Sequence, residues 1–212
     1  MKTEDLISAM AADAKSTEMP IARTLWLAVA AGTILAAILF FVEVGPRADL
    51  TGALSSPRFL FKCALTLMLL VSAMGLVRHL ARPGSVPIGW VVALAAVPAV
   101  LGVGVITEML SIPSSVWDNR IFGMNWRVCM WLIPLLSAAP LVAVIIALRH
   151  GAPTHPILSG AAAGLLSAGI GATLYATHCQ SDSPLFVAVW YVAATLIVTL
   201  VGAILGARLL RW

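Results

Sequence analysis

Charge is what this sequence has least of. Only 10% of its 212 residues are Asp, Glu, Lys or Arg, against about 25% in soluble globular domains. Apolar residues make up 61% and the mean hydropathy is +1.01, so a water-soluble globule would have far too little polar surface to cover itself. A soluble enzyme is excluded, and so is a disordered chain. Cysteine is scarce at 3 residues, which rules out a disulfide scaffold. With no Cys-x-x-Cys pair there is no thioredoxin-like motif and no zinc-finger spacing. The four histidines, His79, His150, His155 and His178, fall in loops or at helix ends, so they cannot face one another at depth as haem ligands. No phosphate-binding loop or nucleophile and base pattern appears, and enzymatic activity has no support.

What is present is apolar length. Six runs, about Ala22 to Val42, Phe59 to Val77, Ile88 to Ile106, Val128 to Leu148, Ile157 to Thr177 and Leu185 to Ala207, are each long enough to cross a hydrocarbon core. The expected fold is an all-α integral membrane protein, a bundle of six transmembrane helices behind a short N-terminal amphipathic helix. Residues 1–21 form the N-terminal segment and 22–212 the six-span domain. The span interiors are expected to hold no Asp, Lys or Arg. Their Gly and Ala suit close helix packing, and the pairs Gly160/Gly164 and Gly202/Gly206 are expected to pack within the bundle, with dimerisation as the alternative. Trp117, Trp126 and Trp131, in or beside the long loop Thr107 to Arg127, look like an interfacial aromatic belt.

Lys2, Lys15, Arg23, Arg78, Arg82, Arg149, Arg208 and Arg211 flank the spans on one side, and Arg47, Arg58, Lys62, Arg120 and Arg127 on the other. Excess Lys and Arg stays cytoplasmic, and six crossings return the chain to its starting side, so both termini are placed in the cytoplasm. The first apolar run starts some twenty residues in, with no small-residue cleavage pattern, so the start does not read as a secretory signal. Thr3 is placed to cap a helix whose first turn carries Glu4 and Asp5. Leu6, Ile7 and Met10 then recur at helical spacing as an apolar stripe, and Pro20 ends the segment. It is not basic enough for a lipid-binding helix. A docking peptide for a cytoplasmic protein is the expectation, through Thr3, Asp5, Leu6, Ile7 and Met10, and a frayed leader is the plainer alternative.

All three cysteines fall near the other membrane face. Cys63 opens the second span, Cys129 opens the fourth and Cys179 follows the fifth. A disulfide is permitted there if two sulfurs come within reach, and the odd number leaves at least one thiol free. At the same level lie Glu43, Glu108, His178 and Asp182. Thiolates beside an imidazole suit a soft ion such as Zn, Cd or Cu(I); no obligatory cofactor is expected, only a transient metal. The alternative makes Glu43 and Glu108 helix-end carboxylates in interfacial water and the cysteines small packing residues. A sensory or redox role is expected for Cys129 and Cys179, and packing for Cys63. A small six-span transporter of a metal ion or small solute is the second functional reading. Pro98, Pro134 and Pro140 offer it kinks, but no charge accompanies them at mid-depth.

The opening Lys2-Thr3-Glu4-Asp5-Leu6-Ile7, the segment Gly45-Pro46-Arg47-Ala48-Asp49-Leu50, Tyr175-Ala176-Thr177-His178-Cys179 with Trp190-Tyr191, and the ending Gly206-Ala207-Arg208-Leu209-Leu210-Arg211-Trp212 resemble the NrsF family over essentially the whole chain. The resemblance implies a six-span anti-sigma factor of the proteobacterial inner membrane. Such a protein holds an extracytoplasmic-function (ECF) sigma factor until heavy metals or oxidants release it. The implied partners are that sigma factor and the bilayer, with no direct contact to nucleic acid. The family's cysteine pair maps to Cys129 and Cys179, leaving Cys63 as an extra. Where the family has an acidic residue soon after the His-Cys pair, this chain reads Gln180-Ser181-Asp182.

Overall fold

The computed structural model describes residues 3–5, 8, 20–82, 87–151 and 153–210. Six helices are long and apolar enough to cross a membrane: Ile21–Glu43, Pro57–Leu80, Ile88–Ser111, Trp126–Arg149, Pro156–Ala176 and Pro184–Leu209, named here the first to sixth spans. No strand occurs among the described residues. The protein is thus a multi-pass, all-α membrane protein. Thr3, Glu4, Asp5 and Ser8 have helical backbone and are exposed. Leu6, Ile7 and Met10 lie outside the described residues, as does the greater part of the expected amphipathic helix.

Local chemistry explains the boundaries. Pro57, Pro156 and Pro184 open the second, fifth and sixth spans, where the missing N–H costs nothing and the fixed φ suits a helix. The first span ends where Gly45 takes φ +62° and its N–H returns to the Phe40 carbonyl at 2.8 Å, a turn that a residue with a Cβ adopts only at a cost. Pro46 follows and prevents continuation. The sixth span contains one π-helical stretch, Val187–Tyr191.

The fifth span is the centre of the bundle. It packs against the second, fourth and sixth spans, while the first packs mainly on the fourth and the third on the second. Burial follows: 67% of the fifth span's most apolar window is enclosed against 11% of the third's. Small residues allow this. A Cβ added to Gly160 would meet the backbone of Gly202 and Gly206, one on Gly202 would meet Gly160 and Gly164, and one on Gly164 would meet Thr199 and Val198. The two GxxxG pairs therefore face each other inside one chain, as expected of packing within the bundle. Gly32 likewise abuts Pro140, where an added Cβ would lie 2.6 Å from the proline Cα.

Two apolar clusters fill the interior. One joins Leu25, Val77, Val144, Leu148 and Leu166 near the end where the first span begins. The other, at the opposite end, joins Phe40, Leu65, Cys129, Tyr175, Cys179, Phe186 and Tyr191. Ile34, Leu35, Ile38, Phe41, Val92, Val103 and Leu200 are exposed, a surface suited to lipid rather than water.

Two sequence expectations need correction. Lys62, counted among flanking residues, lies inside the second span and its side chain is fully enclosed. The segment Thr107 to Arg127 is not one long loop. The third span continues to Ser111, and Ser114–Val116 and Trp117–Phe122 form short helical turns beyond it. Trp190 Nε1 donates to the Ile121 carbonyl at 2.8 Å, pinning those turns to the sixth span. Trp131 is 81% exposed, and Trp126, half-buried, stacks on Trp190 with ring centres 4.6 Å apart.

Candidate sensory site

The end of the bundle away from the start of the first span gathers three connections and the ends of all six spans. Cys129 sits in the first turn of the fourth span and Cys179 three residues beyond the last turn of the fifth. Both are fully buried, free thiols in the same cluster. The Cys179 N–H donates to the Tyr175 carbonyl at 2.9 Å, and its thiol points to the Ser181 carbonyl at 3.8 Å. Tyr175 and Tyr191 enclose the pair. Their hydroxyls make no hydrogen bond with a described residue. Cys63 is half-buried and free.

A charged network surrounds this core. The Lys62 ammonium donates to the Cys179 carbonyl at 2.7 Å and to Asp182 Oδ1. Arg47 Nη1 reaches Asp182 Oδ2 at 2.9 Å, while its Nε and Nη2 grip both oxygens of Asp49 at 2.7 Å. Both cations also lie over the Phe59 ring, Lys62 at 5.4 Å and Arg47 at 5.9 Å from its centre, an arrangement favoured by the ring quadrupole. A buried ammonium is tolerated only with a counter-charge and acceptors for its protons, and Asp182 with the Cys179 carbonyl supplies both. The Arg47 fork holds the Asp49 carboxyl below the usual aspartate range, because a hydrogen-bonded carboxylate is harder to protonate. The same bonds push the Arg47 guanidinium further up.

Of the other candidate residues, His178 and Glu108 are engaged elsewhere. His178 Nδ1–H donates to the Gly45 carbonyl at 2.9 Å, which joins the fifth connection to the first and leaves Nε2 for other partners. Glu108, buried in the third span, accepts from Ser183 Oγ at 2.6 Å and from the Leu185 N–H at 3.4 Å, and its other oxygen faces Arg58 at 3.4 Å. Glu43 is exposed and pairs with no described residue. Among the described residues no three His, Cys, Asp or Glu side chains gather as a metal cage. The structure thus unites Cys129 with Cys179 and places Asp182 on Lys62 and Arg47, with Glu43 and Glu108 apart. Lys62, Arg47, Tyr175 and Tyr191 are the neighbours that the sequence reading did not assign to this site. A lysine inside the apolar stretch Phe59-Leu60-Phe61-Lys62-Cys63-Ala64 was the available signal, since an ionisable group within a span needs a partner.

The geometry provides two shielded thiols that bridge the fourth span and the fifth connection, inside a ring of fully compensated charge. The charge sits at one end of the bundle, not at the mid-depth where transporters bind their substrates. The sequence pattern of the NrsF family, described as negative regulator of sigma F, matches residues 10–212. The chain is 37% identical to the probable anti-sigma-F factor NrsF of Azospira oryzae and 36% identical to the anti-sigma-F factor NrsF of Caulobacter vibrioides, in each case over the full length of both proteins. No solved structure matches it.

Proposed function

Because the chain belongs to the NrsF family, we propose that it is a membrane-bound anti-sigma factor. It holds an ECF-class sigma factor, the counterpart of its relatives' sigma-F, at the bacterial inner membrane with both termini in the cytoplasm. It has no enzymatic activity. The leader residues Thr3, Asp5, Leu6, Ile7 and Met10 dock the partner as an amphipathic helix in a groove. The thiols, at the opposite end of the bundle, detect heavy-metal or oxidative stress outside the cytoplasm.

The observation that carries this reading is the burial of Cys129 and Cys179 in one cluster, on two different parts of the chain. An oxidant takes two electrons and two protons from the pair and leaves a disulfide. A soft metal ion such as Zn, Cd or Cu(I) instead displaces the two thiol protons and binds both sulfurs. Either event ties the fourth span to the fifth connection. It changes partner affinity only by favouring one bundle arrangement over another, and a tenfold loss of affinity requires about 1.4 kcal/mol of coupling.

The test is a sigma-dependent reporter, with and without stressor, at matched membrane levels of each variant. Cys129→Ser and Cys179→Ser should each abolish the response, and Cys63→Ser should preserve it. A Cys129→Ser, Cys179→Ser double variant that responds like the parent refutes the thiol sensor.

A further inference from the structure

Lys62 fastens the Cys179 segment to the second span. Two of its three N–H bonds go to that segment, one to the Cys179 carbonyl and one to Asp182. The first connection grips the same segment: Arg47 N–H donates to the Thr177 carbonyl at 3.1 Å, the Arg47 guanidinium holds Asp182, and His178 donates to Gly45. Cys129, by contrast, belongs to the fourth span. The second span continues from Lys62 to Arg78 and His79, beside the start of the first span, and it packs along the central fifth span.

We propose that Lys62 is a positioning residue for Cys179, and that its bonds to Asp182 and the Cys179 carbonyl pass a change at that cysteine to the second span. The proposal rests on the thiol-sensor reading above. Linking Cys179 to Cys129 draws the segment towards the fourth span, and the Lys62 bonds oppose that shift. A hydrogen bond from a buried cation is strong in a low-dielectric interior, and a half-made one strands an ammonium without acceptors. The link is therefore made or broken, with intermediate arrangements disfavoured, and the second span senses which.

The experiment uses the full chain in lipid nanodiscs with N-ethylmaleimide as probe. The cysteine thiolate adds to its double bond and the adjacent ring carbon takes up a proton. Rates at each cysteine are read by peptide mass spectrometry in the parent, Lys62→Met, Lys62→Arg and Asp182→Asn. Alkylation of a buried thiol reports local opening, so Lys62→Met and Asp182→Asn should accelerate Cys179 about tenfold without accelerating Cys129. Lys62→Arg, which keeps a cationic donor, should react like the parent. Acceleration at both thiols alike indicates general loosening and overturns the proposal, as do parent rates at Cys179 in both variants.

In cells, Lys62→Met should still form the oxidised Cys129–Cys179 pair, yet leave the sigma-dependent reporter silent under stress, while Lys62→Arg responds. A Lys62→Met strain that responds like the parent overturns the link. If instead the cysteine variants leave the stress response intact, the sensor reading fails, and the alkylation pattern still decides whether Lys62 positions Cys179.

Discussion

Glu108 on the third span accepts a hydrogen bond from Ser183 at 2.6 Å, one residue before the sixth span begins. The third span is otherwise the least enclosed of the six, so this buried contact, with the Leu185 N–H beside it, fixes its C-terminal end. Glu108→Ala leaves the Ser183 hydroxyl and a helix-start N–H without their acceptor. We expect a loss of about 1–3 kcal/mol, read as a lower unfolding midpoint in detergent, with Glu108→Gln losing less. An unchanged midpoint in the alanine variant would contradict the contact.

The fifth and sixth spans meet at glycine, and Gly160→Ala should show it. Its new methyl would collide with the Gly202 carbonyl and with the Gly206 Cα 2.7 Å away, and backbone cannot rotate aside. Overpacking of this kind costs about 1–3 kcal/mol. Gly52→Ala, with nothing within 4 Å of the added carbon, serves as the control. Equal unfolding midpoints for the two variants would place the glycine contact elsewhere.

Thiol accessibility should be ordered. Cys63 is half-buried whereas Cys129 and Cys179 are fully enclosed. In the reduced resting protein a small maleimide is therefore expected to modify Cys63 first, as quantified by peptide mass spectrometry. Faster labelling of Cys129 or Cys179 would mean that the cluster is open.

The Arg47 and Asp49 pair sets a pH dependence with a definite sign. Asp49 has a lowered pKa in the fold, so its pairing stabilises above the unfolded aspartate value and is lost as pH falls through the lowered one. The carboxylate is exposed, and the effect on stability is correspondingly slight. Carboxyl-carbon NMR should show Asp49 titrating below the ordinary aspartate range, and Arg47→Gln should return it there.

For the leader, replacing Leu6 and Ile7 with Asp removes two apolar anchors, each worth about 1.5–3 kcal/mol when buried. Reporter output should rise without stress while membrane abundance stays constant. Continued repression would separate these residues from partner docking.

The six spans were legible because length and hydropathy decide whether a helix can cross lipid, and prolines mark where several begin. Their neighbours were not. The spans carry apolar residues around their whole circumference, so no amphipathic stripe announces which face turns inward. Gly160 and Gly202 show the limit: the motif indicated close packing, but only the assembled bundle matched one pair to the other. The candidate site was half legible. Cys129 and Cys179 could be placed at one depth by counting along their spans, yet counting assigned Glu43 and Glu108 to the same level without bringing them to the thiols.

Lys62 marks the boundary between the two kinds of information. By itself the sequence determined a six-span membrane protein with three cysteines near one face, because transfer of apolar side chains from water to lipid depends on composition and length alone. Tertiary structure decided that Lys62 turns inward, that Asp182 neutralises it, and that the same ammonium holds the Cys179 carbonyl. Those outcomes depend on distance and on exclusion of water, which arise only when residues more than a hundred positions apart meet.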